Sequence, residues 1–157
     1  MSLVGVIFPD ADLAEVEEFR GRWDPLADAV AAHITIIFPI PEESDLDALR
    51  ALAMKPFPVR LATPLLWDDE YLFLTADTGN DHIVDLHRRS YEALRLPSPP
   101  RFVPHMTIGR RRAETETMLA QAAGLAVQGW ARSLTIYRRH PDGLRTVECT
   151  VGDQTLG

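Results

Sequence analysis

The chain carries a single cysteine, Cys149, so it makes no internal disulfide and is compatible with a reducing compartment. Cys149 falls in a late strand-like stretch, Thr146 to Val151, and reads as a core thiol. No apolar run approaches the roughly 20 residues that a membrane-spanning helix needs. Met1 to Asp10 lacks the basic start and long apolar centre of a signal peptide, and it reads as a first strand. The expectation is a soluble, cytoplasmic protein with no membrane partner. Positive charge is short as well, with 16 Lys and Arg against 23 Asp and Glu, a formal net charge of −7. Broad binding to duplex DNA rests on neutralising many phosphates, and this balance argues against it. A small substrate, or only the end of an RNA, fits better.

Low-complexity segments and a separate linker are also missing. What is present is 157 residues, 46% of them hydrophobic, enough for one compact domain or for two small lobes sharing a sheet. Leu3 to Phe8 reads as a strand stopped by Pro9-Asp10. Leu13, Val16, Phe19 and Trp23 recur at helical spacing until Asp24-Pro25. Ala32 to Phe38 is a strand closed by Pro39 and Pro41. Ser44 with Asp47 resembles a capping box before a helix buried through Leu46, Leu49 and Leu52, and Phe57 to Trp67 is a strand again.

The order then repeats. Tyr71 to Ala76 is a strand, reached by a hairpin across residues 68–70, and Ile83, Leu86, Ser90 and Leu94 mark a helix ended by the Pro-rich stretch 97–100. Val103 to Gly109 is the next strand. Thr115 is placed to cap a helix carrying Met118, Leu119 and Ala122, with Gly124 at its end. Trp130 to Arg138 and Leu144 to Val151 close the chain as a hairpin around His140-Pro141-Asp142-Gly143. His105 follows His33 by 72 residues and Trp130 follows Phe57 by 73, which supports a duplication. The reading is one bilobal α+β domain over 1–157, with lobe-forming repeats of approximately 3–67 and 71–151. It has largely antiparallel sheets, helices outside and a pseudo-twofold that sets the two central strands face to face around a cleft. A period this long that occurs only twice is not a solenoid.

Those central strands carry the same phrase, His33-Ile34-Thr35-Ile36 and His105-Met106-Thr107-Ile108. Successive strand side chains alternate between faces, so each His and Thr look one way while the apolar residues look towards a core. A His and a Thr two positions apart stand roughly 6 to 7 Å from one another, near enough for one phosphate to touch both. The Thr hydroxyl donates to a non-bridging oxygen, and an imidazole nitrogen reaches a bridging oxygen or a nucleophilic water. Histidine is held neutral or charged at physiological pH by modest surroundings, so a pair divides the labour. One imidazole takes the proton of the attacking group and the other protonates the departing oxygen. This chemistry requires no metal or other cofactor, and neither phrase has an adjacent carboxylate or cysteine to complete a metal ligand set. Gly109, on the same strand face as His105 and Thr107, is expected to leave room for a ligand. One of Arg110, Arg111 and Arg112 is placed to supply positive charge, Arg110 being the candidate for substrate contact, although alternation does not say which of the three points inward.

The two phrases, their spacing and their apolar flanks resemble the paired signatures of the 2H phosphoesterase superfamily, which includes the 2′-5′ RNA ligases. The stretch Ala32 to Pro41 and the phrase Pro104-His105-Met106-Thr107 are the closest matches, and the layout covers nearly the whole chain. The resemblance implies a metal-independent phosphoesterase acting on 2′,3′-cyclic phosphates or 2′-5′ linkages, with a nucleotide or RNA-end phosphodiester as substrate. It implies His33 and His105 as catalytic and Thr35 and Thr107 as phosphate-binding. Ala32 stands before the first motif where proline is common in the family, as Pro104 stands before the second.

Plainer readings stand beside these. In the plainer reading the two histidines are half-buried and bond threonines of neighbouring strands, Thr favours strands in any case, and Arg110 to Arg112 read also as a solvated strand end. His87 reads as a packed or rim residue, His82 as solvent-facing and His140 as part of a turn. Trp67, Tyr71, Phe73, Trp130 and Tyr137 are placed either to stack a base or to fill the core. A module that binds RNA or nucleotide ends without turnover is the competing function. Oligomeric state defaults to monomer.

Overall fold

The structure is a computed structural model that describes residues 2–140 and 143–152. In chain order its elements are β1 (Leu3–Ile7), β2 (Asp10–Ala11), α1 (Ala14–Trp23), β3 (Ile34–Ile40), α2 (Leu46–Arg50), β4 (Phe57–Trp67) and β5 (Tyr71–Thr78). There follow α3 (Asn80–Ala93), β6 (His105–Arg110), α4 (Thr115–Ala122), β7 (Val127–Ala131), β8 (Ser133–His140) and β9 (Gly143–Gly152). The strands form one sheet in the order β2-β7-β4-β5-β6-β3-β1-β8-β9. Every strand pair among the described residues is antiparallel. This is the α+β, antiparallel class that the patterning predicts. The last strands of the two sequence halves cross over. β4 pairs with β5, while β8 pairs with β1.

That order forces the sheet to curl. Five strands separate β7 from β8, a distance of roughly 29 Å across a flat sheet, yet only Arg132 joins them in sequence. Two residue steps span at most about 7 Å. The expected single strand from Trp130 to Arg138 is therefore two: Trp130 and Ala131 pair with β4, and the chain then bends at Arg132 to serve β1. Arg132 is held there by a hydrogen bond from its Nε to Asp10 Oδ2 at 2.7 Å. Residues 141–142 of the expected terminal turn lie outside the described residues.

Local details adjust other expectations. Asp45, not Ser44, caps α2, its side chain accepting from the Asp47 N–H at 3.1 Å. Thr115 is the first residue of α4, and its hydroxyl donates back to the Arg112 carbonyl at 2.6 Å rather than capping the helix. β3 does not stop before Pro39 but runs through it to Ile40, which pairs with Leu3. It has a strand neighbour on one side only at that point, an edge position that tolerates proline.

The helices cover one face of the sheet. Val16, Phe19 and Trp23 of α1, and Ile83, Leu86 and Tyr91 of α3, join Ile34, Ile36, Ile37, Met106 and Ile108 in one apolar cluster. Full burial of each such side chain is worth about 1.5 to 3 kcal/mol. A one-residue slip of either motif strand would send imidazoles into this layer and isoleucines out of it, so the cluster fixes which way His33, Thr35, His105 and Thr107 point. Among the described residues no helix is long and apolar enough to cross a membrane. Cys149 is buried in β9, and burial pushes its thiol up.

Candidate active site

The motif strands β3 and β6 are neighbours at the middle of the sheet, paired at Ile34 with Met106. Continuing that antiparallel register by one residue sets His33 across from Thr107 and Thr35 across from His105. The four side chains thus occupy the corners of a rectangle, with the two imidazoles on one diagonal, about 7 to 8 Å apart at their bases. All four are half-buried, whereas Ile34, Ile36, Met106 and Ile108 beneath them are fully buried. The sequence-predicted constellation is brought together.

Each imidazole is oriented by its own chain. His33 Nδ1 lies 2.8 Å from the Ala31 carbonyl, and His105 Nδ1 lies 2.6 Å from the Val103 carbonyl, in both cases two residues upstream. A carbonyl only accepts, so Nδ1 carries the hydrogen and donates in both, which leaves Nε2 as the nitrogen free to take or give a proton. His105 also stacks on Phe73, ring centroids 3.6 Å apart and planes 13° from parallel. His33 meets the edge of Phe8 at 6.0 Å. Burial lowers the pKa of both imidazoles. At His33 the Ala31 carbonyl works against this; at His105 the Val103 carbonyl does, and the charge of His33 lowers it further.

A second symmetry decides where the next residues point. In the β1–β3 pairing Thr35 faces Val6 while Ile37 faces Gly5, and in the β5–β6 pairing Thr107 faces Phe73 while Gly109 faces Leu72. Ile36 and Ile108 are therefore bulged at the same place in both motifs, and a bulge reverses the alternation of everything after it. Gly109 is consequently not on the face of His105 and Thr107, where alternation alone puts it. It is buried, and a Cβ there would sit 3.0 Å from Met118 Sδ and 3.2 Å from Trp23 Cβ. Gly109→Val is expected to destabilise the fold by about 1 to 3 kcal/mol through overpacking against α4 and α1, read as a lower unfolding midpoint in urea.

The same bulge returns Arg110 to the face of His105. Arg110 pairs with Tyr71, and its guanidinium lies over that ring, 5.1 Å from the centroid, while bonding Glu70. Arg111 pairs instead with Asp69, and Arg112 is exposed. At the matching position of the first motif stands Phe38, 39% exposed, with Arg139 above its ring at 4.8 Å. Phe38 was not singled out by the sequence, and the bulge is the reason. Of the other aromatics, Tyr71 and Phe73 flank the second motif, Trp67 stacks on Phe73 at 5.6 Å with Arg101 over it, and Tyr137 meets Phe8 at 5.7 Å. Trp130 lies on β7, which the sheet order sets three strands from β6. Among the described residues no three His, Cys, Asp or Glu side chains converge as a metal ligand set.

The remaining histidines separate cleanly. His82 is exposed and stacks on Phe57, and His140 bonds Thr146 Oγ1 at 3.1 Å. His87 is buried, stacks on Phe102 at 3.7 Å and donates from Nδ1 to the Ile36 carbonyl at 2.7 Å, while Tyr91 bonds both the N–H and the carbonyl of Phe38. These two α3 side chains stand in for the ladder partner that β3 lacks beyond Ile34. Burial lowers the pKa of His87 as well. With His33, His105 and His87 all below the ordinary histidine value of about 6.5, the unfolded chain binds more protons in that range. Stability therefore rises with pH through that window and is lost as pH falls below it. The melting temperature is expected to drop between about pH 7 and pH 5, and to drop less in His87→Gln; a flat wild-type profile would contradict this.

A family model described as the 2′-5′ RNA ligase superfamily matches residues 8–143, a span that includes both motifs. No functionally curated protein matches the chain by sequence. Among solved structures, apo E. coli LigT is 17% identical and superposes with a TM-score of 0.68, covering 96% of each chain. E. coli LigT complexed with 3′-AMP is 17% identical with a TM-score of 0.65, covering 98% of each chain. A structure described as a phosphoesterase is 16% identical with a TM-score of 0.63, covering 96% of this chain and 97% of its own. These likenesses show the shared fold. With the family model spanning most of its length and the paired His-x-Thr strands at its centre, the chain belongs to the 2′-5′ RNA ligase superfamily, among the 2H phosphoesterases.

Proposed function

We propose that the protein is a metal-independent phosphoesterase that opens 2′,3′-cyclic phosphates, or cleaves and forms 2′-5′ linkages, by acid-base catalysis between His33 and His105. The observation that supports this is the pair of matched Nδ1–H bonds to Ala31 and Val103, which leaves both Nε2 atoms free for proton transfer. In the hydrolytic direction one neutral imidazole removes a proton from water as its oxygen attacks phosphorus. The imidazolium opposite protonates the ribose oxygen as its bond to phosphorus breaks; in ligation a 5′-hydroxyl takes the place of water with the same roles, and the two exchange roles when a 2′-5′ linkage is cleaved. Thr35 and Thr107, on the other diagonal, donate to the non-bridging oxygens, where charge accumulates. Arg110 stands on the same face as Thr107, its charge shared with Glu70. Tyr71 with Arg110 on one side, and Phe38 with Arg139 on the other, are the aromatic and cationic groups to hand for the organic groups on either side of the phosphorus. LigT complexed with 3′-AMP supports a nucleotide as the organic group.

The test is incubation with a 2′,3′-cyclic nucleotide and a 2′-5′ dinucleotide, with and without EDTA, reading phosphomonoester or nucleoside products. Products formed at equal rates in both conditions are expected. Binding without products would favour a nucleotide-end-binding module, and loss of rate in EDTA would favour a metal. Because each imidazole is lowered by burial, kcat/KM is expected to trace a bell whose maximum lies on the acid side of about pH 6.5. A profile that only rises with pH would exclude a histidine acid.

A further inference from the structure

The motif strands share one ladder pair, Ile34 with Met106, so pairing alone holds the two imidazoles weakly in register. Helix α1 bridges them. At its C-terminal end Trp23 packs against Gly109 of the second motif, and one turn earlier Arg20, only 1% exposed, reaches the loop that delivers the first. Arg20 Nη1 donates to Glu17 Oε1 at 2.6 Å and to the Val30 carbonyl at 3.0 Å, and its Nε donates to Asp24 Oδ2 at 3.1 Å. The second carboxylate oxygen of Glu17 accepts the Ala32 N–H at 3.1 Å, and Asp24 Oδ1 accepts the Leu26 N–H at 2.9 Å. The network thus grips backbone at 26, 30 and 32, immediately before His33.

We infer that Glu17, with Arg20 and Asp24, is a positioning residue for His33, fixing by a hydrogen bond to Ala32 what Pro104 fixes by its ring before His105. The contrast between the motifs carries the inference. Val103-Pro104-His105 and Ala31-Ala32-His33 orient their imidazoles through the same Nδ1 bond to the residue two upstream. Proline has no N–H to donate, so the residue at 32 must be something else for Glu17 to hold it. The inference rests on His33 being a catalytic group, and its test has one readout that does not.

Glu17 is the informative position because its side chain is 35% exposed, whereas truncating Arg20 would strand Asp24 in the interior. Glu17→Ala is expected to lower kcat on a 2′,3′-cyclic nucleotide by about 10- to 100-fold with KM little changed, a cost of misplacement rather than of lost contact. Glu17→Gln keeps an acceptor oxygen and should retain most activity, and Glu17→Ala combined with Ala32→Pro should regain most of it. Imidazole ¹⁵N shifts should show His33 as the Nδ1–H tautomer in the wild type, a tautomer mixture in Glu17→Ala and the Nδ1–H form again in the double variant, with His105 constant throughout. A normal kcat in Glu17→Ala, or a folded double variant no better than the single, overturns the inference. If the wild type turns over no phosphodiester, the catalytic reading fails by itself, and an unchanged His33 tautomer in Glu17→Ala would separately overturn the positioning role.

Discussion

Replacing either His33 or His105 by alanine is expected to lower turnover of a 2′,3′-cyclic nucleotide by about 10² to 10⁴, while circular dichroism and the unfolding midpoint stay near the wild type. Both rings are half-buried on the open face, and the apolar layer that stabilises the sheet lies on the other side of the strands. Their loss is therefore expected to remove the proposed proton transfer without opening a cavity in the core. In the proposed mechanism the two act as a unit, so the double variant should lose little more than the worse single. Near-normal activity in the double variant would reject the account of catalysis.

Thr35→Val and Thr107→Val are each expected to lower kcat by about 10² to 10³, the cost of removing one donor to a charged transition state. Valine matches threonine in shape and favours strands equally well, so the bulges and the register should survive. Each threonine faces the other motif's histidine across the β3–β6 register, so in the proposed mechanism the hydroxyls approach the phosphate from opposite sides and neither substitutes for the other. Steady-state kinetics on folded variants check this. A valine variant that raises KM but leaves kcat intact would mean that the hydroxyl binds the ground state and the transition state alike.

The sequence is most legible where a short period governs it. Strand alternation puts His33 with Thr35 and His105 with Thr107 on one face because nothing interrupts the strands between them. It fails two residues later, where bulges at Ile36 and Ile108 send Gly109 inward and Arg110 and Phe38 outward. A bulge is decided by the partner strand, which no local pattern records. The division of 130–138 at Arg132 was hidden for a similar reason: the stretch reads as one strand, and only the sheet order shows that its two parts pair with different strands, β4 and β1. Arg20 left a faint signal, a charge between Phe19 and Trp23 on a buried face with carboxylates three residues before and four after, the spacing of helical neighbours. His87, four residues after Ile83 on the buried stripe of α3, was legible as packed but not as a hydrogen-bond donor to β3.

The claim beneath all of this is that both Nε2 atoms address one phosphorus. It is tested most directly by following the ¹⁵N shifts of both imidazoles during titration with a nucleoside 3′-monophosphate. The account predicts that His33 and His105 respond along one saturation curve, and that His33→Ala weakens the response of His105. Response of one ring alone, or two curves with different midpoints, would contradict it.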